Sequence, residues 1–298
     1  MFNPFRLLNY KKTTLQQNNY EELKFYLRRI QLENQILNCS YSGITKKEYC
    51  NHQIIVSLTT YGRRINDVCF TIESLMQQTF KPNKILLSID YDLFDAGLPE
   101  TLRRQIERGL TILPTKDIRS YKKLIPALKT YPNEAIITVD DDVIYDFDLL
   151  ERLIKSHIAD PQSIYASRIH SMTFDDSGKL NPYDKWDWSI ATSTQRNFIT
   201  GVGGVIYPPH SLHPEVLNEN VFTNICPTAD DVWFTAMAKL NGTEIRKIQT
   251  RNIMGVDFVS NYEMEKDGLN KINTGKNGKN DGQIAAVFSK YGIYNLIK

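Results

Sequence analysis

Four short aliphatic runs, each followed by a stretch long enough for a helix, constrain this chain more than any other feature. "IIVSL" (54–58), "KILLSID" (84–90), "LTILP" (110–114) and "AIITVD" (135–140) read as strands, being short, rich in β-branched residues and bounded by turn formers. Between them lie "VCFTIESLMQQ" (68–78), a helix opened by Pro99 and running through Arg108, and "SYKKLIPALKTY" (120–131), started or interrupted near Pro126. Strands separated by helices imply right-handed crossovers and a mostly parallel sheet. The expected fold class is therefore α/β, a mostly parallel central sheet flanked by helices. Such sheets bind ligands beyond the carboxyl ends of their strands, and the fourth run leads there into Asp140, Asp141 and Asp142.

Three adjacent carboxylates need an explanation. A pair about 4 Å apart repels by ~1 kcal/mol in water and ~4 kcal/mol at an effective dielectric near 20, so solvent or a counter-cation must be close. In an extended segment Asp140 and Asp142 face one way and Asp141 another. Two carboxylates at a strand end are hard oxygen ligands suited to Mg2+ or Mn2+, with positions left for phosphate oxygens, and such a cation neutralises a departing diphosphate. The plainer alternative is that aspartates make good turns and caps after a strand. Asp148 is given to that role, because "DLLE" places Glu151 three residues on and forms a capping box for a helix reaching about His157.

A second acidic site stands in "TADDVWFTAMAKLNG" (228–242), a helix stopped by Gly242. Thr228 and Asp231 have capping-box spacing, which is a sufficient structural role for Asp231. The chemical alternative makes Asp230 or Asp231 a general base, kept ionised by the helix dipole while the neighbouring acid raises one pKa. In "ITGVGGVIYPP" (199–209), Gly203 and Gly204 suggest a bulge or a close backbone approach. Neither a P-loop nor a dinucleotide-binding fingerprint is present, and His210 and His213 are not read as a metal site.

Composition bounds the remaining choices. With 36 basic and 34 acidic side chains the net charge is +2, which argues against a dedicated nucleic-acid binder. Cys39, Cys50, Cys69 and Cys226 show no zinc-type Cys/His spacing and are too sparse for a disulfide scaffold, so a reducing, cytoplasmic setting is expected. No apolar run is long enough to span a bilayer and the first residues carry no signal-peptide core; any membrane contact is expected to be peripheral, at the inner face. Residues 1–50 form an N-terminal helical extension, in which Leu23, Leu27, Ile30 and Leu37 recur at helical spacing behind a cap at Asn18 or Asn19. That stripe packs on the main domain, or else meets a membrane surface or partner. Residues 51–255 form the main domain. In 256–298, a mobile, Lys-bearing loop (271–283) precedes a closing helix.

Taken in order, "IIVSLTTYGRR", "QTFKPNKILLSID", "KKLIPAL", "AIITVDDDV", "GVGGVIYPP" and "ADDVWFTAM" resemble the GT-A glycosyltransferases, specifically the family-2-like bacterial enzymes of surface polysaccharide synthesis. The likeness covers roughly residues 52–255 and implies a Rossmann-like GT-A sheet. It implies that Thr59, Thr60 and Tyr61 cradle the nucleoside of a sugar nucleotide, with Arg63 near its phosphates, Asp90 by the base, and Lys123 rather than Lys122 on the ribose or diphosphate. Asp140 and Asp142 become a DxD-type site, with Asp142 the direct ligand of Mn2+ or Mg2+ and Asp140 its partner, and Asp140 or Asp141 near the ribose. Gly203 and Gly204 pass close to the donor sugar or the acceptor. The place of the base falls on "ADD", favouring Asp231 over Asp230, although Asp-Asp in place of the family's Glu-Asp leaves the choice open. The implied reaction transfers a sugar, with inversion, from a nucleotide-sugar donor, expected to be UDP-linked to a hexose or N-acetylhexosamine, to a saccharide or lipid-linked saccharide. Two other classes share parts of this pattern: a phosphohydrolase with an aspartate nucleophile, and a sugar-nucleotide-binding module without catalysis. Tyr183, Trp186 and Trp188 are read as stacking on sugar rings or as core or lid residues.

Overall fold

A computed structural model describes residues 4–188, 194–251, 257–261, 273 and 278–297, with side chains from residue 19 onward. The four aliphatic runs become β1 (Ile54–Thr59), β2 (Lys84–Asp90), β3 (Leu110–Thr115) and β4 (Ala135–Thr138). Seven shorter strands follow: β5 (Val143–Tyr145), β6 (Ile164–Ala166), β7 (Ile169–Ser171), β8 (Asn197–Ile199), β9 (Val205–Tyr207), β10 (Ile245–Lys247) and β11 (Phe258–Ser260). The helices are α1 (Pro4–Asn38), α2 (Val68–Met76), α3 (Tyr91–Asp95), α4 (Glu100–Glu107), α5 (Ile125–Thr130), α6 (Leu149–Ala159), α7 (Glu219–Ile225), α8 (Asp230–Leu240) and α9 (Asn280–Tyr291).

The central sheet has seven strands in the order β10-β6-β9-β4-β1-β2-β3. The pairs β1/β2, β2/β3, β1/β4 and β6/β10 are parallel, while β9 runs antiparallel between β4 and β6. The mostly parallel α/β fold read from the sequence is thus present, with one reversed strand. Ile54, Val56, Leu58, Ile85 and Leu87 pack on one face with residues of α1, α2, α4 and α6. Ile55, Leu86 and Ile136 pack on the other with residues of α8 and α9. Burial on both faces is why these strands read as unbroken aliphatic runs. The chain leaves β1 for β2 and β3 on one side and returns to β4 on the other. The carboxyl ends of β1 and β4 therefore flank a topological switch point.

Three local expectations are corrected. Helix α1 spans Pro4–Asn38, so Asn18 and Asn19 lie inside it and not at its start. Its packed residues are Phe25, Leu32 and Ile36, whereas Leu23, Leu27, Ile30 and Leu37 are more than half exposed. The side that carries the arginines is the one that meets the domain: the Arg28 guanidinium stacks over the Phe147 ring at 4.4 Å and Arg29 over Phe70 at 4.7 Å. Arginine stems and planar heads pack well on aromatic faces, so charge is a poor guide to which side of this helix is covered.

β4 stops at Thr138, and Asp141 and Asp142 occupy a turn leading into β5, so strand alternation does not decide where the aspartates point. Neither capping box forms. Asp148 makes no side-chain cap and instead pairs with Arg152 and Arg251. At α8 the cap residue is Ala229, and Thr228 bonds Asn273 and Gln283 from the C-terminal segment. The closing helix expected near the C-terminus is present as α9, packed on α8. Of the Lys-bearing loop at 271–283, residues 271, 272 and 274–277 lie outside the described residues.

Candidate active site

The acidic turn is fixed by bonds to its backbone. Tyr145 Oη accepts from the Asp140 N–H at 2.9 Å and donates to the Val202 carbonyl at 2.9 Å. The Thr71 hydroxyl lies 2.8 Å from the carbonyls of both Asp141 and Val143, and the Asn261 N–H donates to the Asp142 carbonyl at 2.8 Å. A buried phenol and a buried hydroxyl that both find partners make a rigid frame rather than a loose loop.

That frame sends the three carboxylates to different cations. Arg64, buried, donates to Asp141 at 2.8 Å and to Asp142 at 2.7 Å, and the Thr60 hydroxyl donates to Asp141 at 2.6 Å. Asp140 pairs with the Lys123 ammonium at 3.1 Å. The side chains of Asp140 and Asp142 are 30% and 23% exposed, against 7% for Asp141. Burial pushes the Asp141 carboxyl up to about 7, Arg64 opposing the shift and Asp142 adding to it. Burial also raises Asp140, with Lys123 acting against it and Asp142 with it.

Lys123 joins this turn to the second acidic site. Its ammonium lies 2.9 Å from Asp230 and 3.9 Å from Asp231. Burial acts to lower its pKa, but Asp140, Asp230 and Asp231 together outweigh that and hold it well above the usual lysine range. Asp230 is 9% exposed and sits in direct contact with the ammonium, whereas Asp231 is 31% exposed and accepts from the Gly201 N–H at 3.0 Å. Burial raises the Asp231 carboxyl to about 7, opposed by Lys123 and reinforced by Asp230 and Asp140. With the capping role gone, Asp231 is an accessible carboxylate, poised near neutrality at the first turn of a helix. Chemically it can take a proton from a hydroxyl.

The other residues singled out in the sequence are distributed around this core. The Thr59 hydroxyl donates to the Ser88 carbonyl at 2.7 Å, across the β1–β2 pairing. Tyr61 is exposed, with the Arg64 guanidinium 5.2 Å from its ring centre. Arg63 stands on the exposed side of the turn Gly62–Asn66; the arginine in contact with the carboxylates is Arg64. Two adjacent arginines in a turn give no sequence signal for choosing between them. Asp90 caps α3 through the Leu93 N–H and pairs with Lys122 at 3.1 Å, while Lys122 also holds Asp117 at 2.9 Å.

The glycines are the clearest displacement. A Cβ on Gly203 would meet Ser167 and Arg168, and one on Gly204, at φ +90°, would meet Leu149 and Leu153. Their close approach is to the protein itself. Gly201 is the glycine against the acidic cluster, where a Cβ would stand 2.7 Å from Lys123 Nζ and 3.0 Å from Asp231 Oδ1. Tyr183 and Trp186 are buried beside Phe198, and Trp188 lies flat on His170 at 4.5 Å, so these aromatics belong to the core. A surface cavity of 620 Å³ elsewhere is lined by Thr194, Gln195, Lys239, Glu244, Ile245 and Arg246 and includes none of the acidic residues.

Asp140 and Asp142 suit a Mg2+ or Mn2+ ion in chemistry and access, both being partly exposed carboxylates at the ligand end of the sheet. Their present partners are Lys123 and Arg64, so an ion there would share them with these cations. Among the described residues no third His, Cys, Asp or Glu completes a cage around them. Mg2+ is commonly held by one or two carboxylates plus substrate phosphates, so this pair is sufficient. No described helix is long and apolar enough to cross a membrane.

No protein-family model matches the chain, and no curated protein matches it. Among solved structures it is similar to S. aureus TarS 1-349 in complex with UDP: 16% identity, 67% of this chain and 59% of that one covered, TM-score 0.45. It is also similar to the mannosyltransferase PcManGT from Pyrobaculum calidifontis in complex with GDP-Man and Mn2+: 13% identity, 80% and 68% covered, TM-score 0.43. A third is 4-diphosphocytidyl-2C-methyl-D-erythritolsynthase from Anaerococcus prevotii: 13% identity, 68% and 89% covered, TM-score 0.44.

Proposed function

We propose that the chain is a glycosyltransferase that uses a nucleotide-linked sugar, UDP-linked by the sequence resemblance, and transfers the sugar to a saccharide or lipid-linked saccharide hydroxyl in surface polysaccharide synthesis. The observation that carries this reading is the Lys123 ammonium, which ties Asp140 of the strand-end turn to Asp230 and Asp231 of α8. A donor-side carboxylate, Asp140, and a candidate base are thereby held on one charged hub.

Asp231 is the base in this reading, since it is the more exposed of the pair and its carboxyl is poised near neutrality. It takes the acceptor hydroxyl proton as that oxygen attacks the anomeric carbon; the carbon's bond to the diphosphate oxygen breaks, and the nucleoside diphosphate leaves with the bonding pair. A single base on the attacking side gives inversion. Asp142 and Asp140 would hold a divalent cation, which supplies positive charge for the departing diphosphate. Arg64 fixes the direction of Asp142, and Asp141, doubly bonded to Arg64 and Thr60, braces the turn.

The test is nucleoside diphosphate release from a panel of sugar nucleotides with Mn2+ or Mg2+, beside a generic phosphatase substrate. Donor-selective release, lost in Asp142→Ala and Asp231→Asn, is the expected result. Phosphatase turnover without nucleotide preference overturns the reading in favour of a hydrolase; donor binding without release across a broad acceptor set favours a binding module.

A further inference from the structure

A second cluster of metal-ligand side chains stands at the opposite end of the sheet. Cys50 and His52 lie in the segment entering β1, and His157 lies in the last turn of α6. The His52 and His157 Nε2 atoms are 2.8 Å apart, and one ring nitrogen of each histidine and the Cys50 Sγ lie within 4.8 Å of one another. His157 is fully buried, while Cys50 and His52 are partly open to solvent. Among the described residues this is the one group of three such side chains within that distance. No zinc-type spacing is visible along the chain because the third donor is 105 residues beyond His52, brought in by the fold rather than by local pattern.

We propose that Cys50, His52 and His157 bind a borderline-soft divalent cation of the zinc class, with a water molecule in the fourth position. One thiolate and two imidazoles are a donor set suited to tetrahedral Zn2+. At ~2.0–2.1 Å from nitrogen and ~2.3 Å from sulfur, a tetrahedral ion sets its donor atoms about 3.3–3.6 Å apart. The imidazoles need only part slightly from 2.8 Å, and the sulfur need only close in from at most 4.8 Å. Cys50 and His52 lie in the bend entering β1 and are partly open to solvent.

The surroundings favour the ligand forms. Burial lowers the pKa of His157 to about 4, with His52 acting in the same direction and Asp160 against it. Burial also lowers His52, opposed by Glu134. Metal binding requires the neutral form of each ring, and burial acts toward that form at both. His157 Nδ1 has no hydrogen-bond partner, so no bond within the protein must break for the ring to take the tautomer that frees Nε2. Coordination removes the Cys50 thiol proton to solvent, so affinity rises with pH. Without an ion, the two rings share a proton between their Nε2 atoms, and the thiol contacts the His52 carbonyl at 3.4 Å. With one, the segment entering β1 is pinned to the end of α6.

Co2+ is the probe, added to the chelator-treated full chain. The expected result is one equivalent bound with tetrahedral absorption bands and a thiolate-to-cobalt charge-transfer band. Cys50→Ser abolishes the charge-transfer band, and His157→Gln weakens binding at least tenfold. Zn2+ raises the thermal midpoint of the wild type and leaves that of Cys50→Ser unchanged. Asp142→Ala keeps the cobalt spectrum intact, which separates this site from the acidic one. Absence of a thiolate band, its persistence in Cys50→Ser, or only six-coordinate spectra would overturn the proposal.

Discussion

The two ends of the central sheet solve the problem of burying polar groups in opposite ways. At the carboxyl end, five aspartates are kept with Lys123 and Arg64 among them, so charge is retained and paired. At the amino end, two imidazoles and a thiol face one another, and burial lowers the pKa of both rings, favouring their neutral forms. Paired charge preorganises a site for reactions in which charge moves, and neutral nitrogen and sulfur donors suit a softer cation. The two ends should therefore answer differently to pH: loss of a cation hurts the first most at high pH, while the second is weakened by acid.

The largest expected effect is at Asp231. With the base ionised above about 7, kcat/KM should rise as pH increases through neutrality and level off above it. Asp231→Asn should remove that rise and lower kcat by about a hundredfold or more, since a positioned base contributes roughly 10²–10⁴-fold. A flat wild-type profile from pH 5 to 9 would remove Asp231 from the base role.

Lys123→Met breaks the charged hub directly. Three carboxylates then lose their shared cation inside the protein, and breaking a buried pair from one side costs roughly 3–5 kcal/mol. The sign is set by the acids: with the ammonium gone they bind protons more tightly folded than unfolded, so the loss is greatest above neutrality. It shrinks as pH falls toward the ordinary aspartate range near 4. Denaturant unfolding at pH 8 and pH 5 measures both; an equal loss at the two values would mean that Lys123 acts by packing.

How much of this was legible follows from where the information lies. The strands were readable because burial on both faces writes them as aliphatic runs, and the acids at the strand end because charge there has few structural excuses. The direction of each aspartate was not, since β4 ends two residues before Asp140 and a turn replaces strand alternation. The capping reading of Asp231 failed because Thr228 is claimed by Asn273 and Gln283, partners far along the chain. Likewise the Gly203–Gly204 pair signals a close approach correctly, but only the fold reveals that the approach is to Ser167, Arg168 and α6. The exposed leucines of α1 misled for a related reason: Arg28 and Arg29 pack as flat apolar bodies on Phe147 and Phe70.

A smaller effect separates two glycines. In Gly201→Ala the new methyl displaces the flexible ends of Lys123 and Asp231, so stability should change little. Activity should fall about tenfold to a hundredfold, the range expected when a reacting group is misplaced by around 1 Å. Gly204→Ala meets a φ of +90° that L-residues rarely adopt; it should cost about 1–3 kcal/mol of stability and leave the activity of the folded fraction intact. Reversal of this pattern would place the reacting groups beside Gly204 instead.

The smallest effect is a slope at the amino end. In the metal-free chain, His157 takes a proton at about 4 when folded and at about 6.5 when unfolded. The unfolded chain therefore binds the extra proton between these values. The stability due to neutral burial is complete above 6.5 and is lost progressively as pH falls toward 4. His157→Gln should flatten that part of the unfolding-versus-pH curve. His170, also buried and lowered to about 3, leaves a residual slope of the same sign, which His157→Gln does not touch. An unchanged curve in His157→Gln would mean that the ring is already solvated, and the contrast between a neutral end and a charged end of the sheet would fail at its weaker side.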